Sequence, residues 1–415
     1  MSEFVYIDGV LHAEGVALTE IANQFGTPAY IYSRKMIESH WQEFDSALGS
    51  QHHLVCYAVK ANSNIAVLNI LAKLGSGFDI VSLGELNRVL KAGGDPAKVV
   101  FSGVGKREDE MAEALRQGIK CFNVESANEL LRLNAVAEKM NMQAPISLRV
   151  NPDVDAKTHP YISTGLKENK FGIAFEQAKS VYLQADQMTH IQVVGIDCHI
   201  GSQITELSPF RDALQRVLVL VNELNEVGIE IEHIDIGGGL GIDYQDETPP
   251  TRVDYVNVIN ETLGDHEVEV LMEPGRSIVG NAGILLTQVE YLNETPYHHF
   301  AVVDAAMNDL IRPALYGGWH DIKRIVESSE AEAIEYDVVG PVCETGDFLG
   351  KNRVLQLEAG DLLAVCSAGA YGFTMASNYN SRPRVCELMV TDSHVHIVRE
   401  RETMDDLVNG EHIIQ

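Results

Sequence analysis

From about residue 54 the chain alternates short apolar runs, rich in β-branched residues, with longer stretches whose apolar positions recur every three or four residues. Eight of the short runs read as strands, at 54–59, 77–81, 99–102, 121–124, 146–150, 193–199, 233–236 and 268–272. Nearly continuous apolar runs separated by helices are the pattern of parallel strands covered on both faces. The helices carry their own punctuation. Ser126 and Glu129 form a capping-box pair ahead of Leu130, Leu133 and Ala137. Ser208-Pro209 opens a helix that Gly228 closes, with Leu214, Leu218, Val221 and Leu224 as its buried stripe. Eight such units in succession favour a closed (β/α)8 barrel over an open sheet, which puts chemistry at the strand C-termini.

The rhythm changes after about residue 276. Runs at 284–289, 301–303, 336–339, 362–366 and 385–390 are divided by turns and read as a second, antiparallel, β-barrel-like domain. Near the start, residues 4–11 read as a hairpin about Asp8-Gly9 that joins this domain in space. The expected organisation is α/β plus all-β: a TIM barrel over 30–276 and a β domain from 1–29 plus 277–415.

Composition narrows the function. The 415 residues are 45% hydrophobic and 22% charged, an ordinary globular balance with room for two domains. With 31 basic against 60 acidic side chains the formal charge is -29, which disfavours nucleic acid and anionic membranes as partners. No segment has the length of a membrane span and no leader pattern opens the chain, so a cytoplasmic protein is expected. The six cysteines lack CxxC spacing, so neither a metal site nor a disulfide framework is indicated.

Several strand ends carry chemistry. Lys60 follows the first apolar run, where desolvation would free its amine for attack on a carbonyl. His199 ends the sixth run, with Ser202 close behind, and an imidazole there could stack on an aromatic ring. Gly237-Gly238-Gly239 follows the seventh run and Glu273-Pro274-Gly275-Arg276 the eighth, the usual phosphate position of such barrels. A dinucleotide fingerprint fails, because its third glycine would fall on Ile242. An amine, a phosphate cradle and a carboxylate at one barrel mouth suit pyridoxal 5'-phosphate: lysine for the aldehyde, glycines for the phosphate, Glu273 for the pyridine nitrogen. Each element alone has a plainer reading, as a snorkelling lysine, a tight turn or a hydrogen-bonded histidine. The combination carries the inference.

On these motifs, with Asn308-Asp309-Leu310-Ile311-Arg312-Pro313-Ala314-Leu315-Tyr316 and Gly340-Pro341-Val342-Cys343-Glu344-Thr345-Gly346-Asp347, the chain resembles the diaminopimelate decarboxylase family. That family lies within the alanine-racemase-like (fold type III) pyridoxal-phosphate enzymes. The resemblance spans nearly the whole chain, and the last two tracts are its more specific part; Thr345 stands where the family more commonly has serine. It implies decarboxylation of meso-2,6-diaminopimelate to L-lysine, with Lys60 holding the cofactor and Cys343 as proton donor. It assigns the cofactor to Lys60, His199, Ser202, Gly237, Gly238, Gly239, Glu273, Gly275, Arg276 and Tyr371. It assigns the substrate to Arg276, Arg312, Tyr316, Glu344 and Tyr371. It further implies a homodimer in which Cys343 and its neighbours enter the partner's site. The rival readings are a decarboxylase of another basic amino acid or a carboxylated polyamine, a racemase, and a cofactor carrier or inactive homologue.

Overall fold

The computed structural model describes residues 2–154, 170–245, 247–327 and 331–414. Two compact units emerge, one of residues 38–242 with 248–277, the other of 1–37 with 243–247 and 278–415.

In the first unit eight parallel strands close a ring: His53–Ala58, Gly77–Ile80, Val99–Phe101, Cys121–Val124, Ala144–Asn151, Ile191–Asp197, His233–Asp235 and Glu269–Met272. They are numbered one to eight below. Each pairs with its neighbours in sequence, and the eighth pairs with the first through Met272 and Val55. The expected TIM barrel is therefore present, and every expected strand overlaps an observed one. Strand positions were readable because strands buried on both faces must be apolar almost throughout.

The helices show how the ring is covered. Helix Ser208–Asn225 buries Leu214, Leu218, Val221 and Leu224 on one stripe, each contributing about 1.5–3 kcal/mol by leaving water. Pro209 sits in its first turn, where a missing N–H costs nothing. At helix Ala127–Met140 only half of the expected capping box forms. Ser126 Oγ accepts from the Glu129 N–H at 3.2 Å, but the Glu129 carboxylate is taken by Lys106 Nζ at 2.8 Å. That ammonium is almost wholly buried, so its demand for a counter-charge outweighs a cap.

The second unit holds a nine-stranded sheet in the order Phe348–Leu355, Ile334–Val339, His299–Val303, Gly283–Glu294, Ala29–Ser33, Cys386–Thr391, His394–Arg399, with Leu362–Val365 also on Gly283–Glu294 and carrying Ile322–Arg324. It is mostly antiparallel, as expected, with two exceptions. His299–Val303 runs parallel to Ile334–Val339, and Ala29–Ser33 parallel to Cys386–Thr391. Both pairs are joined by long crossovers, which return the chain to the end from which it started. Phe4–Ile7 and Val10–Ala13 form the expected hairpin, with Asp8 and Gly9 at positive φ in the turn. It joins the rest of this unit where the Leu11 N–H donates to the Ile325 carbonyl.

Candidate functional site

The polar residues of the barrel unit gather where its strands end. Lys60 lies in a single 3-10 turn, Val59–Ala61, directly after strand one. The turn is held by the Ala58 N–H on the Pro274 carbonyl at 3.1 Å and by Tyr57 OH on the Asn62 carbonyl at 3.0 Å. Asn64 then caps helix Ile65–Leu74. The expected desolvation is only partial, and the amine has a partner: Lys60 Nζ is paired with the carboxylate of Asp79, which is wholly buried on strand two, while the lysine side chain stays about a third exposed. A carboxylate that deep needs a cation, and the lysine provides it.

Glu273, at the end of strand eight, is 6% exposed. Its Oε1 accepts from Ser102 Oγ at 3.2 Å and Asn123 Nδ2 at 3.3 Å. Burial, together with Asp235, Asp79 and Asp197, pushes its carboxyl well above the usual range, and Lys60 opposes that push. Lys60 and Glu273 thus belong to one electrostatic site.

Beside Glu273, after strand seven, lies the glycine run. Gly237 and Gly239 have φ of +66° and +111°, a region L side chains rarely adopt. A β-carbon on Gly238 would stand 2.3 Å from the Glu273 carbonyl oxygen, and one on Gly237 2.7 Å from His199 Nδ1. The backbone can pass here only without side chains, because the neighbouring loops pack directly against it. The Glu273 N–H donates to the Gly237 carbonyl at 2.8 Å, tying the loops after strands seven and eight together. Gly275 is equally confined, since its β-carbon would lie 3.0 Å from that of Ala61.

His199 Nδ1 accepts the Gly238 N–H at 3.2 Å, so the ring's proton is assigned to Nε2. Burial, with Arg149 and Lys60 nearby, holds the imidazole well below its ordinary pKa, which keeps it a neutral, flat ring. Arg276 Nη2 donates to Ser202 Oγ at 3.0 Å, setting a guanidinium and a hydroxyl side by side. An amine, a glycine-walled cradle with a cation, a flat neutral ring and a buried carboxyl are the set that a phosphorylated pyridine aldehyde needs. These residues fit pyridoxal phosphate.

The β unit carries the other expected residues. Arg312 is buried at the start of helix Arg312–Tyr316, and its Nη1 donates to His320 Nε2 at 2.8 Å. Arginine cannot accept, so His320 is neutral there and donates from Nδ1 to the Cys366 carbonyl at 2.8 Å. The guanidinium also lies 4.5 Å from the Tyr244 ring centroid. Tyr316 ends the same helix, half-buried, before Gly317 in the left-handed region. Cys343 and Glu344 are exposed in a loop whose shape is set by Asp347, which accepts the Val342 and Met307 N–H groups at 2.7 Å each. The Cys343 N–H donates to Asn380 Oδ1 at 2.9 Å, and Tyr379 hydrogen-bonds Glu344. Tyr371 has φ of +56°, unusual for an aromatic residue, in a loop where a β-carbon on Gly372 would meet the Ala368 carbonyl at 2.5 Å.

Asp79, Ser102, Asn123, Asp197 and Asp235 in the barrel, and Tyr244 and His320 in the β unit, escaped sequence reasoning. A signal existed for most of them: a single polar residue inside an apolar strand, as in Phe78-Asp79-Ile80, Phe122-Asn123-Val124 and Ile234-Asp235-Ile236.

Residues 34–280 match the model of the pyridoxal-dependent decarboxylase, pyridoxal-binding domain. The chain is 60% identical over 414 residues to diaminopimelate decarboxylase of Pseudomonas aeruginosa, covering 100% of both. It is also 60% identical to that of Vibrio cholerae, covering 96% of each. The crystal structure of diaminopimelate decarboxylase from Helicobacter pylori complexed with L-lysine superposes with a TM-score of 0.91 at 43% identity, over 94% of this chain and 98% of that one. Full-length identity of this order, on a barrel whose residues fit the cofactor, shows that the chain belongs to the pyridoxal-dependent decarboxylases and, among them, to the diaminopimelate decarboxylase family.

Proposed function

We infer that this chain converts meso-2,6-diaminopimelate to L-lysine and carbon dioxide with pyridoxal phosphate, the last step of lysine biosynthesis. The observation that carries the reading is the convergence of Lys60, the glycine run and Glu273 at strand ends one, seven and eight of one barrel. The cofactor, when bound, supplies an electron sink for the charge left behind as carbon dioxide departs.

The chain's own residues do the rest. Lys60 would hold the cofactor through its Nζ, and the buried Asp79 carboxylate that pairs with that amine would orient it. The backbone N–H groups of Gly239 and Gly275, with Ser202, Arg276 and the Tyr371 hydroxyl, would hold the phosphate, while Gly237 and Gly238, whose N–H groups are taken by Asp235 and His199, would shape the cradle around it. His199 would lie against the ring, and its neutrality would keep a second positive charge off that face. Glu273 would face the pyridine nitrogen and favour its protonated form. Cys343 Sγ delivers the proton that replaces the lost carboxyl group.

The substrate is an amino acid at both ends, so beyond the reacting centre it presents a carboxylate and an ammonium. Arg276, Arg312 and Tyr316 answer the carboxylate, and Glu344 the ammonium. Helix Arg312–Tyr316 bears two of these groups, and Arg312 is stiffened by His320 and Tyr244. Carbon dioxide and L-lysine released from diaminopimelate, with no turnover of ornithine, arginine, lysine or carboxylated polyamines, is the expected result of a substrate panel. Turnover of one of those in its place refutes the assignment, and epimerised diaminopimelate without gas release indicates a racemase.

The working form is a homodimer in which Cys343 and Glu344 of one copy serve the barrel of the other; both are exposed on their own chain. Mixing inactive Lys60→Ala with inactive Cys343→Ala protein should restore up to about a quarter of wild-type activity, from the one hybrid dimer site that keeps both residues. No recovery after verified subunit exchange counts against shared sites. The six free cysteines suit the reducing cytoplasm, and recovery of the activity from any other cell fraction contradicts that location. Among the described residues no helix is long and apolar enough to cross a membrane.

A further inference from the structure

We propose that His320 is a positioning residue for substrate recognition: it fixes the Arg312 guanidinium through a neutral acceptor, so that the arginine meets the substrate's distal carboxylate in one orientation and without a negative charge added beside it. The proposal rests on the reading of Arg312 as a carboxylate-binding residue.

Local structure brings the two side chains together. Helix Arg312–Tyr316 stops at Gly317, whose φ of +61° turns the chain, and the Gly318 N–H returns to the Arg312 carbonyl at 3.3 Å. His320, eight positions after Arg312, is thereby carried back alongside it, fully buried. Its other side is tied down. The Cys366 carbonyl accepts from His320 Nδ1 at 2.8 Å, and the Cys366 N–H donates to the Asp321 carbonyl at 2.8 Å. Arg353 Nη2, from strand Phe348–Leu355, donates to the His320 carbonyl at 2.9 Å. Ring and backbone are both held, so the imidazole has one orientation.

That orientation settles what the ring can do. With its proton on Nδ1, His320 presents a lone pair at Nε2, and Arg312 Nη1 donates to it at 2.8 Å. Tyr244 completes the seat, its ring 4.5 Å from the guanidinium carbon and edge-on to the imidazole with centroids 5.3 Å apart. Arg312 is thus held at one edge and across one face, by two uncharged rings.

Both features serve recognition of a carboxylate. A guanidinium grips a carboxylate best as a planar fork, so a fork already set in its plane binds with less ordering to undergo. An acidic residue at 320 would hold the arginine as firmly, but the buried pair would carry no net charge to attract a third group. The imidazole gives direction without neutralisation.

Calorimetry on the holoenzyme with L-lysine and with cadaverine, which is lysine without its carboxylate, tests the assignment. His320→Phe keeps a ring against Tyr244 but offers no acceptor. Lysine should bind it more weakly by about tenfold or more, the order of one hydrogen bond to a charged group, and cadaverine as it binds wild type. His320→Gln, which can still accept from Arg312 and donate to Cys366, should recover most of that loss. His320→Glu, which accepts but brings a negative charge, should not. In turnover the phenylalanine variant should raise KM for diaminopimelate more than it lowers kcat. Unchanged lysine affinity in His320→Phe, an equal loss for cadaverine, or a glutamate variant that matches the glutamine one overturns the proposal, and the last comparison holds even if His320→Phe does not fold. Arg312→Ala separates the two levels: intact lysine binding in that variant defeats the underlying reading, whereas failure of the His320 variants alone defeats only this inference.

Discussion

Alanine in place of Lys60 leaves a protein that folds normally, shows no visible absorbance from attached cofactor after free pyridoxal phosphate is removed, and has lost nearly all turnover. Two consequences of the substitution need separating. It deletes the nucleophilic amine, and it also strips the buried Asp79 carboxylate of its paired cation. Orphaning a charge of a fully buried pair costs on the order of 3–5 kcal/mol, and the partial exposure of Lys60 lessens that here, so a measurable fall in melting temperature should accompany the loss of chemistry. Lys60→Ala combined with Asp79→Asn should regain stability without regaining absorbance. Gel filtration followed by an absorbance scan and a thermal melt checks both, and a single variant that keeps the visible band contradicts the role given to Lys60.

Glutamine at position 273 should slow decarboxylation by roughly ten- to a hundredfold, equivalent to about 1.5–3 kcal/mol for one charge-assisted hydrogen bond. The shape is nearly conserved, so Ser102 and Asn123 keep a partner and the fold should be unaffected. What disappears is the capacity to become negative. In wild type, burial and three neighbouring carboxyls resist that charge, and a protonated ring nitrogen supplies the compensation. The variant should show the loss in kcat more than in KM, with the absorbance maximum of bound cofactor displaced. Unaltered kcat and absorbance would mean that another group partners the ring nitrogen.

Much of this was legible in the chain before its structure. The eight barrel strands were readable because each is a bounded apolar run, and motifs at their ends followed from the barrel rule that chemistry collects there. Strand Ala29–Ser33 was not, since five residues between Pro28 and a helix carry little pattern. Strand Phe348–Leu355 was hidden by Gly350, Lys351, Asn352 and Arg353, polar residues that read as a turn. The site was legible at its anchors and opaque in its supports. Asp79 meets Lys60 across 19 positions and Asn123 meets Glu273 across 150, contacts that only the closed barrel creates. Lys60 shows the same limit: an apolar run upstream suggests desolvation, and the wholly buried carboxylate on the next strand that pairs with it leaves no mark near the lysine itself.

The central claim is that Lys60 is the point of covalent attachment at the barrel mouth shared with Glu273. Borohydride reduction of the wild-type protein with its cofactor, followed by proteolysis and mass mapping, tests it directly. A single pyridoxyl-phosphate mass shift is expected on the peptide containing Lys60, prevented by prior addition of excess diaminopimelate. A shift on any other lysine, with Lys60 unmodified, contradicts it.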